Sequence, residues 1–211
     1  MIKRVIFDID DTLLISAPYF RICIEKVLIN YPKISKRVID EIDNSFSLYE
    51  KTYSQYDYET YVKFFNNNFT PIMTKELFAE INNSFFINAP NTLQDNIIEV
   101  LEYLQSKYDL VALTNYISDT QLPRLESQNI LKYFSKVYCG DKIPFKPSKE
   151  SYLTSLGKFN KKECLIIGND FEKDYQIPKS MGIKAILFDK NNEFPDEKER
   201  ITNLIELKQL L

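Results

Sequence analysis

Five short apolar runs, separated by longer segments with helical spacing, constrain the fold of this chain more than any other feature. The runs are rich in β-branched residues and have the length of buried strands; they cover residues 5–7, 110–113, 137–139, 165–167 and 185–188. Between the later runs, apolar residues recur three and four positions apart, as in amphipathic helices. Strands that alternate with helices predict an α/β fold with a doubly wound parallel sheet. A final covering helix is predicted from the spacing of Ile201, Leu204, Ile205 and Leu207.

Residues 16–90 interrupt this alternation, because they contain several amphipathic helical patterns and no strand-like run. Polar residues that can act as helix N-caps precede three of these patterns: Ser35, Asp57 and Thr74. The sequence therefore predicts a discontinuous α/β core, residues 1–15 and 91–211, with an inserted helical cap, residues 16–90. A cap inserted directly after the first strand would lie at the edge of an active site and supply walls for a substrate.

Composition excludes several classes of function. The chain of 211 residues contains no histidine, which excludes Ser/His/Asp and Cys/His catalysis and the usual zinc sites. Its four glycines are too sparse for a dinucleotide-binding motif or a P-loop. The net charge is −3 and no long basic stripe is present, so we expect no nucleic-acid partner.

The sequence also predicts the cellular location of the protein and the state of its cysteines. No apolar segment is long enough to cross a bilayer, and the first residues lack the apolar region and cleavage site of a secretory signal. We therefore expect a cytoplasmic protein with no membrane partner, and the sequence leaves its oligomeric state open. The three cysteines, Cys23, Cys139 and Cys164, are far apart in apolar surroundings and are predicted to be buried free thiols.

Polar residues follow the predicted strands at the points where the strands end. They are Asp8 and Asp10 after the first strand, Thr114 and Asn115 after the second, Lys146 beyond the third, and Asn169, Asp170 and Asp174 after the fourth. Because ligands of parallel sheets bind outside the carboxyl ends of the strands, we expect these residues to form one site. The set offers a nucleophile, an acid/base, a hydroxyl, a cation and carboxylates for a hard metal. Those groups suit the displacement of a phosphoryl group.

Four motifs in this order resemble those of the haloacid dehalogenase (HAD) superfamily of phosphohydrolases, over essentially the whole chain. The matching segments are Asp8-Ile9-Asp10-Asp11-Thr12-Leu13, Leu113-Thr114-Asn115, Lys146-Pro147, and the acidic motif from Ile166 to Asp174. The resemblance implies a Rossmann-like core with a small helical cap inserted after the first motif. The predicted helical block of residues 16–90 begins at that insertion point.

The resemblance and the chemistry of the side chains together assign roles to these residues. Asp8 would attack phosphorus and carry an aspartyl-phosphate, while Asp10 would protonate the leaving oxygen and then deprotonate water. Phosphoryl oxygens would be bound by Thr114, the backbone N–H of Asn115 and Lys146. Mg²⁺ would be held by the Asp8 carboxylate, the Asp10 backbone carbonyl and a carboxylate of the acidic motif.

The acidic motif departs from the family pattern, which more often reads Gly-Asp than Gly-Asn-Asp. We place the direct metal carboxylate on Asp170, because the amide of Asn169 is a neutral and poorer ligand and Asp170 keeps a four-residue spacing to Asp174. Asn169 and Asp174 then support the metal site, and the choice between Asn169 and Asp170 stays open. For the lysine role, Lys146 precedes Pro147 as in the family motif, and Lys149 is the alternative.

The expected function is Mg²⁺-dependent hydrolysis of a small phosphorylated metabolite, because a lid that closes over the site would exclude a bulky phosphoprotein. The alternatives are a 2-haloacid dehalogenase or a phosphomutase on the same fold, and a non-hydrolytic phospho-acceptor or binding protein. Dehalogenation needs neither a second acid nor a metal, so Asp10, Asp170 and Asp174 count against it. A signalling acceptor would be shorter and would lack a cap.

Overall fold

A computed structural model of the protein describes residues 1–88 and 93–211. Its strands are Arg4–Phe7 (β1), Asp109–Leu113 (β2), Lys136–Tyr138 (β3), Cys164–Gly168 (β4), Lys184–Phe188 (β5) and Arg200–Ile201 (β6). All neighbouring strands pair in parallel, in the order β3-β2-β1-β4-β5-β6. The predicted α/β fold with a doubly wound parallel sheet is confirmed.

The central strand β1 determines where a ligand can bind. Val5 is in register with Leu110 of β2 on one side and with Leu165 of β4 on the other. The strand order reverses at this point, and such a reversal opens a crevice outside the carboxyl ends of the strands. All four residues of β1 are buried, so the strand is held rigidly beneath that crevice.

Helices fill the intervals between the strands. Between β1 and β2 they are Ala17–Leu28 (α1), Arg37–Thr52 (α2), Tyr58–Asn68 (α3), Lys75–Asn88 (α4) and Ile97–Gln105 (α5). Further along the chain they are Ser118–Ser127 (α6), Lys149–Leu156 (α7), Ile177–Ser180 (α8) and Leu207–Leu210 (α9). A π-helical turn, Phe171–Gln176, directly precedes α8. Within the described residues no helix is both long and apolar enough to cross a bilayer.

Helices α1–α4 bury a hydrophobic cluster of their own. It contains a fully buried residue from each helix, namely Ile24, Ile42, Phe65 and Ile81. Ile117 and Phe145, which follow β2 and β3, pack into the same cluster and join this block to the sheet. The division into a core and a cap stays a prediction, and its boundary at residues 90 and 91 lies outside the described residues.

The predicted N-caps of the helical block have different outcomes. The Asp57 carboxylate accepts the backbone N–H of Thr60 at 2.8 Å, and the Thr74 hydroxyl accepts that of Leu77 at 3.1 Å, as predicted. For α2 the prediction is wrong by one residue, because Lys36 occupies the N-cap position. Ser35 lies one residue before that position, and its hydroxyl accepts the backbone N–H of Arg37, the first residue of α2, at 3.2 Å.

The predicted C-terminal helix is wrong in its first turn. Ile201 belongs to β6 and pairs with Phe188, while Leu204–Glu206 form a 3₁₀ turn before the short helix α9. The apolar spacing misleads here because Ile201, Leu204 and Leu207 all enter one hydrophobic cluster although they lie in different elements. The prediction for the cysteines is confirmed, since all three are free and buried.

Candidate active site

The carboxyl ends of β1, β2 and β4 open into one cavity of about 240 Å³. Every predicted site residue lines it: Asp8, Asp10, Thr114, Asn115, Lys146, Asn169, Asp170 and Asp174. The remaining lining residues that the structure describes are Glu50, Tyr116 and Lys173. The structure therefore brings the four sequence motifs together, and the roles of their residues stay predictions.

Lys146 lies between two buried carboxylates. Its Nζ atom donates to Asp8 Oδ1 at 2.6 Å and to Asp174 Oδ1 at 2.7 Å. Burial works against a charged Lys146, but the Asp174 and Asp8 carboxylates outweigh it and raise the pKa of this lysine above its ordinary value. A permanent cation is thus fixed beside the nucleophile candidate. The alternative lysine, Lys149, is exposed at the start of α7 and does not line the cavity.

The side chain of Asn115 fixes the backbone of Lys146 through two hydrogen bonds. Asn115 Oδ1 accepts the backbone N–H of Lys146 at 2.7 Å, and Asn115 Nδ2 donates to the Lys146 carbonyl at 2.9 Å. These bonds couple the end of β2 to the loop after β3. Asn115 thus holds the Lys146 backbone through its side chain. This contact is additional to the phosphate binding that the sequence predicts for the Asn115 backbone N–H.

Asp8 is a buried carboxylate in a crowded acidic setting. Burial raises its pKa to about 7, and the nearby Asp174 and Asp10 carboxylates act in the same direction, while Lys146 opposes them. A cation at the cavity would favour the ionised form, in which Asp8 is a nucleophile. Lys146 alone therefore does not cancel the effect of burial and of the neighbouring carboxylates on Asp8.

Asp10 is held by a polar network behind the cavity. Its Oδ1 accepts from the Ser16 hydroxyl at 2.6 Å and from Arg124 at 2.7 Å, and its Oδ2 accepts from Gln121 Nε2 at 2.5 Å. Burial would raise the pKa of Asp10, but Arg124 and the bonds from Ser16 and Gln121 outweigh it and lower that pKa. Gln121 Nε2 also donates to Thr114 Oγ1 at 3.0 Å, which connects the acid/base candidate to the hydroxyl motif.

Arg124 and Gln121 were missed by the sequence reasoning. Both lie on α6, the helix that follows Thr114 and Asn115, three residues apart and on the face turned toward Asp10. No sequence signal marks them, because two polar side chains on a helical segment ordinarily face solvent and their burial is seen only in the structure. The Arg124 guanidinium also lies over the Phe85 ring at 4.3 Å, a contact that links α6 to the helical block.

The acidic motif forms a tight turn after β4. Asp170 Oδ1 accepts the backbone N–H groups of Glu172 at 3.0 Å and Lys173 at 2.8 Å, and so caps the π-helical turn. Asp174 Oδ2 accepts the backbone N–H of Asp170 at 3.2 Å. Gly168 is required at this point, because a Cβ atom there would overlap the Asp174 carboxylate.

The oxygen donors at the strand ends fit a hard divalent cation. Mg²⁺ is usually bound by one or two carboxylates and completes its octahedral shell with water, so it does not need an all-protein cage. The described residues contain no group of three or more acidic, cysteine or histidine side chains that encloses a metal. Asp8, Asp170 and the Asn169 amide nevertheless line one cavity, and Asn169 Oδ1 is tied to Thr12 Oγ1 at 3.1 Å.

Comparison with known proteins identifies the family. A model of the haloacid dehalogenase-like hydrolases matches residues 5–188. YfnB of Bacillus subtilis, whose name places it among the HAD hydrolases, is 25% identical over 124 residues, which is 57% of this chain and 51% of YfnB. The pyrimidine 5′-nucleotidase PynA of Streptococcus pneumoniae is 26% identical over 106 residues, or 48% of this chain and 42% of PynA. The matched region thus spans about half the length of these relatives or less.

Solved structures share the fold over the whole chain. The magnesium-bound structure of YfnB superposes with a TM-score of 0.78 at 17% identity and covers 100% of this chain and 98% of YfnB. An L-2-haloacid dehalogenase from Xanthobacter autotrophicus, with chloropropionic acid covalently bound, gives a TM-score of 0.66 at 14% identity and covers 100% of this chain and 98% of that enzyme. At these identities the likeness establishes the architecture only.

Proposed function

Because the chain belongs to the haloacid dehalogenase-like hydrolase family, we propose that it is a Mg²⁺-dependent phosphohydrolase that acts on a small phosphorylated metabolite through an aspartyl-phosphate on Asp8. One observation carries the proposal. Asp10, a second carboxylate two residues after the nucleophile, lines the same cavity as Asp8, Thr114 and Lys146. A hydrolase needs such a second acid, because the phosphorylated aspartate has to be released by an activated water.

In the proposed first step, Asp8 attacks phosphorus while the leaving alcohol departs. Lys146, whose Nζ atom donates to Asp8, is proposed to donate to a phosphoryl oxygen as well. The Thr114 hydroxyl and the Asn115 backbone N–H add donors at the neighbouring strand end. Donors fixed in place by the fold stabilise the developing charge without the cost of reorienting.

Asp10 moves the protons in this proposal. It donates a proton to the leaving oxygen and then accepts one from the water that hydrolyses the aspartyl-phosphate. The network of Ser16, Arg124 and Gln121 holds the carboxylate in its ionised form, which is the form that the second step uses. For the first step, Asp10 has to leave Arg124 and gain a proton.

The residues proposed to hold Mg²⁺ are Asp8, through its carboxylate, Asp10, through its backbone carbonyl, and Asp170. Asn169 and Asp174 support them, Asn169 through its bond from Thr12 and Asp174 through its bonds to Lys146 and the Asp170 backbone. When bound, the cation supplies electrostatic stabilisation of the phosphoryl charge. The magnesium-bound structure of YfnB supports the metal assignment, since that protein shares this fold.

The helical block is proposed to act as a cap that limits the size of the substrate. Support comes from its placement between β1 and α5, and from Glu50 of α2, which reaches the wall of the cavity. A cavity of about 240 Å³ accommodates a phosphoryl group with a small alcohol. The cytoplasmic location expected from the sequence stays a prediction.

The composition of the cavity separates this proposal from 2-haloacid dehalogenation. A haloacid is itself a carboxylate, and it would meet the carboxylates of Glu50 and Asp170 at the wall. The positive charge of Lys146 is already paired with the carboxylates of Asp8 and Asp174. Phosphohydrolysis recruits a divalent cation that offsets this excess of negative charge, whereas dehalogenation uses none.

The proposal is tested by phosphate release from a panel of small phosphomonoesters, including nucleoside monophosphates. We expect turnover with Mg²⁺ that stops after chelation and returns when Mg²⁺ is added back. Release of inorganic phosphate, as opposed to an isomerised ester, separates hydrolysis from a mutase reaction. Halide release from 2-chloropropionate without metal would instead establish the dehalogenase.

A further inference from the structure

One side chain of the helical block reaches the cavity at the strand ends. Glu50 lies in the last turn of α2, and among the described residues of the block it alone lines this cavity. Its side chain is 20% exposed, so it is accessible from the cavity although most of its surface packs against protein. The aromatic residues of α2 instead fill the hydrophobic cluster of the block.

The Glu50 carboxylate is positioned by Asn115 and Lys173, which also line the cavity, and by Tyr56 of the helical block. Asn115 Nδ2 donates to Oε2 at 2.8 Å, and Lys173 Nζ lies 3.6 Å from the same oxygen. The other oxygen, Oε1, accepts one long bond from the Tyr56 hydroxyl at 3.4 Å. Each carboxylate oxygen can accept two hydrogen bonds, so the carboxylate of Glu50, which lines the cavity, keeps acceptor capacity.

The charge of Glu50 has no role in the proposed handling of the phosphoryl group. Lys146 offsets Asp8 and Asp174, and the proposed Mg²⁺ site uses Asp8 and Asp170. Glu50 reaches the cavity from α2 of the helical block, whereas the residues proposed to bind the phosphoryl group follow the strands of the sheet. The part of a substrate that it faces is therefore the alcohol attached to the phosphoryl group.

We infer that Glu50 selects the leaving group of the substrate, an inference that rests on the proposed phosphohydrolase function. It favours a phosphomonoester whose alcohol carries a hydrogen-bond donor, a hydroxyl or an ammonium, within two carbons of the ester oxygen. A donor there gains a charge-assisted hydrogen bond to the carboxylate. A leaving group with a carboxylate or a second phosphate at that place meets a like charge and is rejected.

The test uses four phosphomonoesters that differ only at the end of a two-carbon leaving group. They are 2-hydroxyethyl phosphate, 2-aminoethyl phosphate, ethyl phosphate and phosphoglycolate. For the wild type with Mg²⁺, we expect kcat/KM to be highest for the two esters with a donor, lower for ethyl phosphate and lowest for phosphoglycolate. In Glu50→Gln, the ratio of kcat/KM for 2-hydroxyethyl phosphate to that for phosphoglycolate should fall at least tenfold.

Two further variants separate a specificity role from a structural one. Glu50→Asp keeps the charge and should keep the order of preference, even where its rates are lower. Asp43→Asn makes the same charge change at an exposed position of α2 and should leave the ratios among the four kcat/KM values unchanged. Circular dichroism and the rate with p-nitrophenyl phosphate report whether each variant is folded.

The outcomes that overturn the inference differ from those that overturn the proposed function. A proportional loss on all four esters in Glu50→Gln would mean that Glu50 only supports Asn115. A wild-type preference for phosphoglycolate, or cleavage of p-nitrophenyl phosphate with none of the donor-bearing esters, would also overturn the inference alone. Absence of all phosphatase activity would overturn the proposed function and the inference with it.

Discussion

Asp8 and Asp10 lie two residues apart, yet the fold gives their carboxylates opposite surroundings. Burial raises the pKa of Asp8 to about 7, whereas Arg124, Ser16 and Gln121 overcome the effect of burial and lower the pKa of Asp10. Titratable pairs whose pKa values are pushed apart divide the chemical roles of a site between them. Here the two shifts favour a protonated Asp8 in the absence of further positive charge and an ionised Asp10.

Replacement of either aspartate should block turnover at a different point. Asp8→Asn should abolish phosphoryl transfer, because an amide is a far weaker nucleophile than a carboxylate. In Asp10→Asn, an activated aryl phosphate needs little protonation of its leaving group, so Asp8 should still be phosphorylated while hydrolysis stalls. Rapid-quench measurement with p-nitrophenyl phosphate should then show at most one equivalent of nitrophenol per enzyme, with almost no further release.

Two results would contradict these assignments. Wild-type steady-state turnover in Asp10→Asn would remove the acid/base role from Asp10. A long-lived phosphoenzyme in the wild type would instead favour a signalling acceptor over a phosphatase.

The acidic motif offers a separate test of the metal ligand. Asp170→Asn should weaken the apparent affinity for Mg²⁺ far more than Asn169→Ala, because a hard cation prefers a charged oxygen. The Mg²⁺ concentration that gives half-maximal phosphate release measures the difference. A larger effect of Asn169→Ala would move the direct ligand to Asn169, whose Oδ1 already accepts from Thr12.

Among the helices, α3 has the clearest N-cap. Asp57→Ala removes an acceptor for the Thr60 N–H and should lower the free energy of unfolding by about 1 kcal/mol. Bonds from Thr60 lower the pKa of Asp57 below 3.8 in the folded protein, so its charge contributes stability that is fully present at neutral pH. That part is lost as the pH falls through the folded pKa, so the difference between wild type and Asp57→Ala should shrink in acid.

Chemical denaturation of both proteins at pH 7 and near pH 3.5 measures this change. Asp57→Asn serves as the control, because asparagine is also a good N-cap and should cost less than alanine. A difference between wild type and Asp57→Ala that is the same at both pH values would mean that the charge of Asp57 adds nothing to the cap.

Apolar runs predicted strands β1 to β5, and local signals placed the start of a helix where one interaction defines it. Asp57 and Thr74 begin helices because a side-chain oxygen accepts a backbone N–H three residues on. β6 was missed because two residues carry no periodicity, and Ile201 is fixed only by its pairing with Phe188. The π-helical turn after Asp170 was also missed, since its apolar spacing does not distinguish it from an ordinary helical turn.

Binding of Mg²⁺ should stabilise the folded chain as a whole. The Asp8, Asp170 and Asp174 carboxylates come together only in the folded state, so the cation binds that state selectively. At 100 times its dissociation constant it should add about 2.7 kcal/mol, which raises Tm by about 5–10 °C for a chain of this size. Differential scanning calorimetry with Mg²⁺ and with chelator measures the shift, which Asp170→Asn should reduce and Asp43→Asn should not. An unchanged Tm at millimolar Mg²⁺ would remove the metal from the proposal.

The site could be predicted from sequence where its residues are adjacent to strands. Asp8, Thr114 and Lys146 follow apolar runs, and the topology of a parallel sheet brings such positions together. Glu50 and Arg124 could not be placed, because each reaches the site from a helix whose orientation depends on packing between distant segments. The residues proposed for chemistry were therefore found, and those proposed to tune substrate choice or position Asp10 were missed.

The central place of β1 also governs the order in which the protein assembles. Val5 pairs with Leu110 and Leu165, so both edges of β1 depend on partners more than a hundred residues later in the chain. Pairings this distant in sequence slow folding. At ribosomal speeds, roughly ten to thirty seconds pass between synthesis of β1 and synthesis of β4. During that interval β1 lacks the strand partner on its β4 side, and Asp8 is made long before the acidic motif that completes its surroundings.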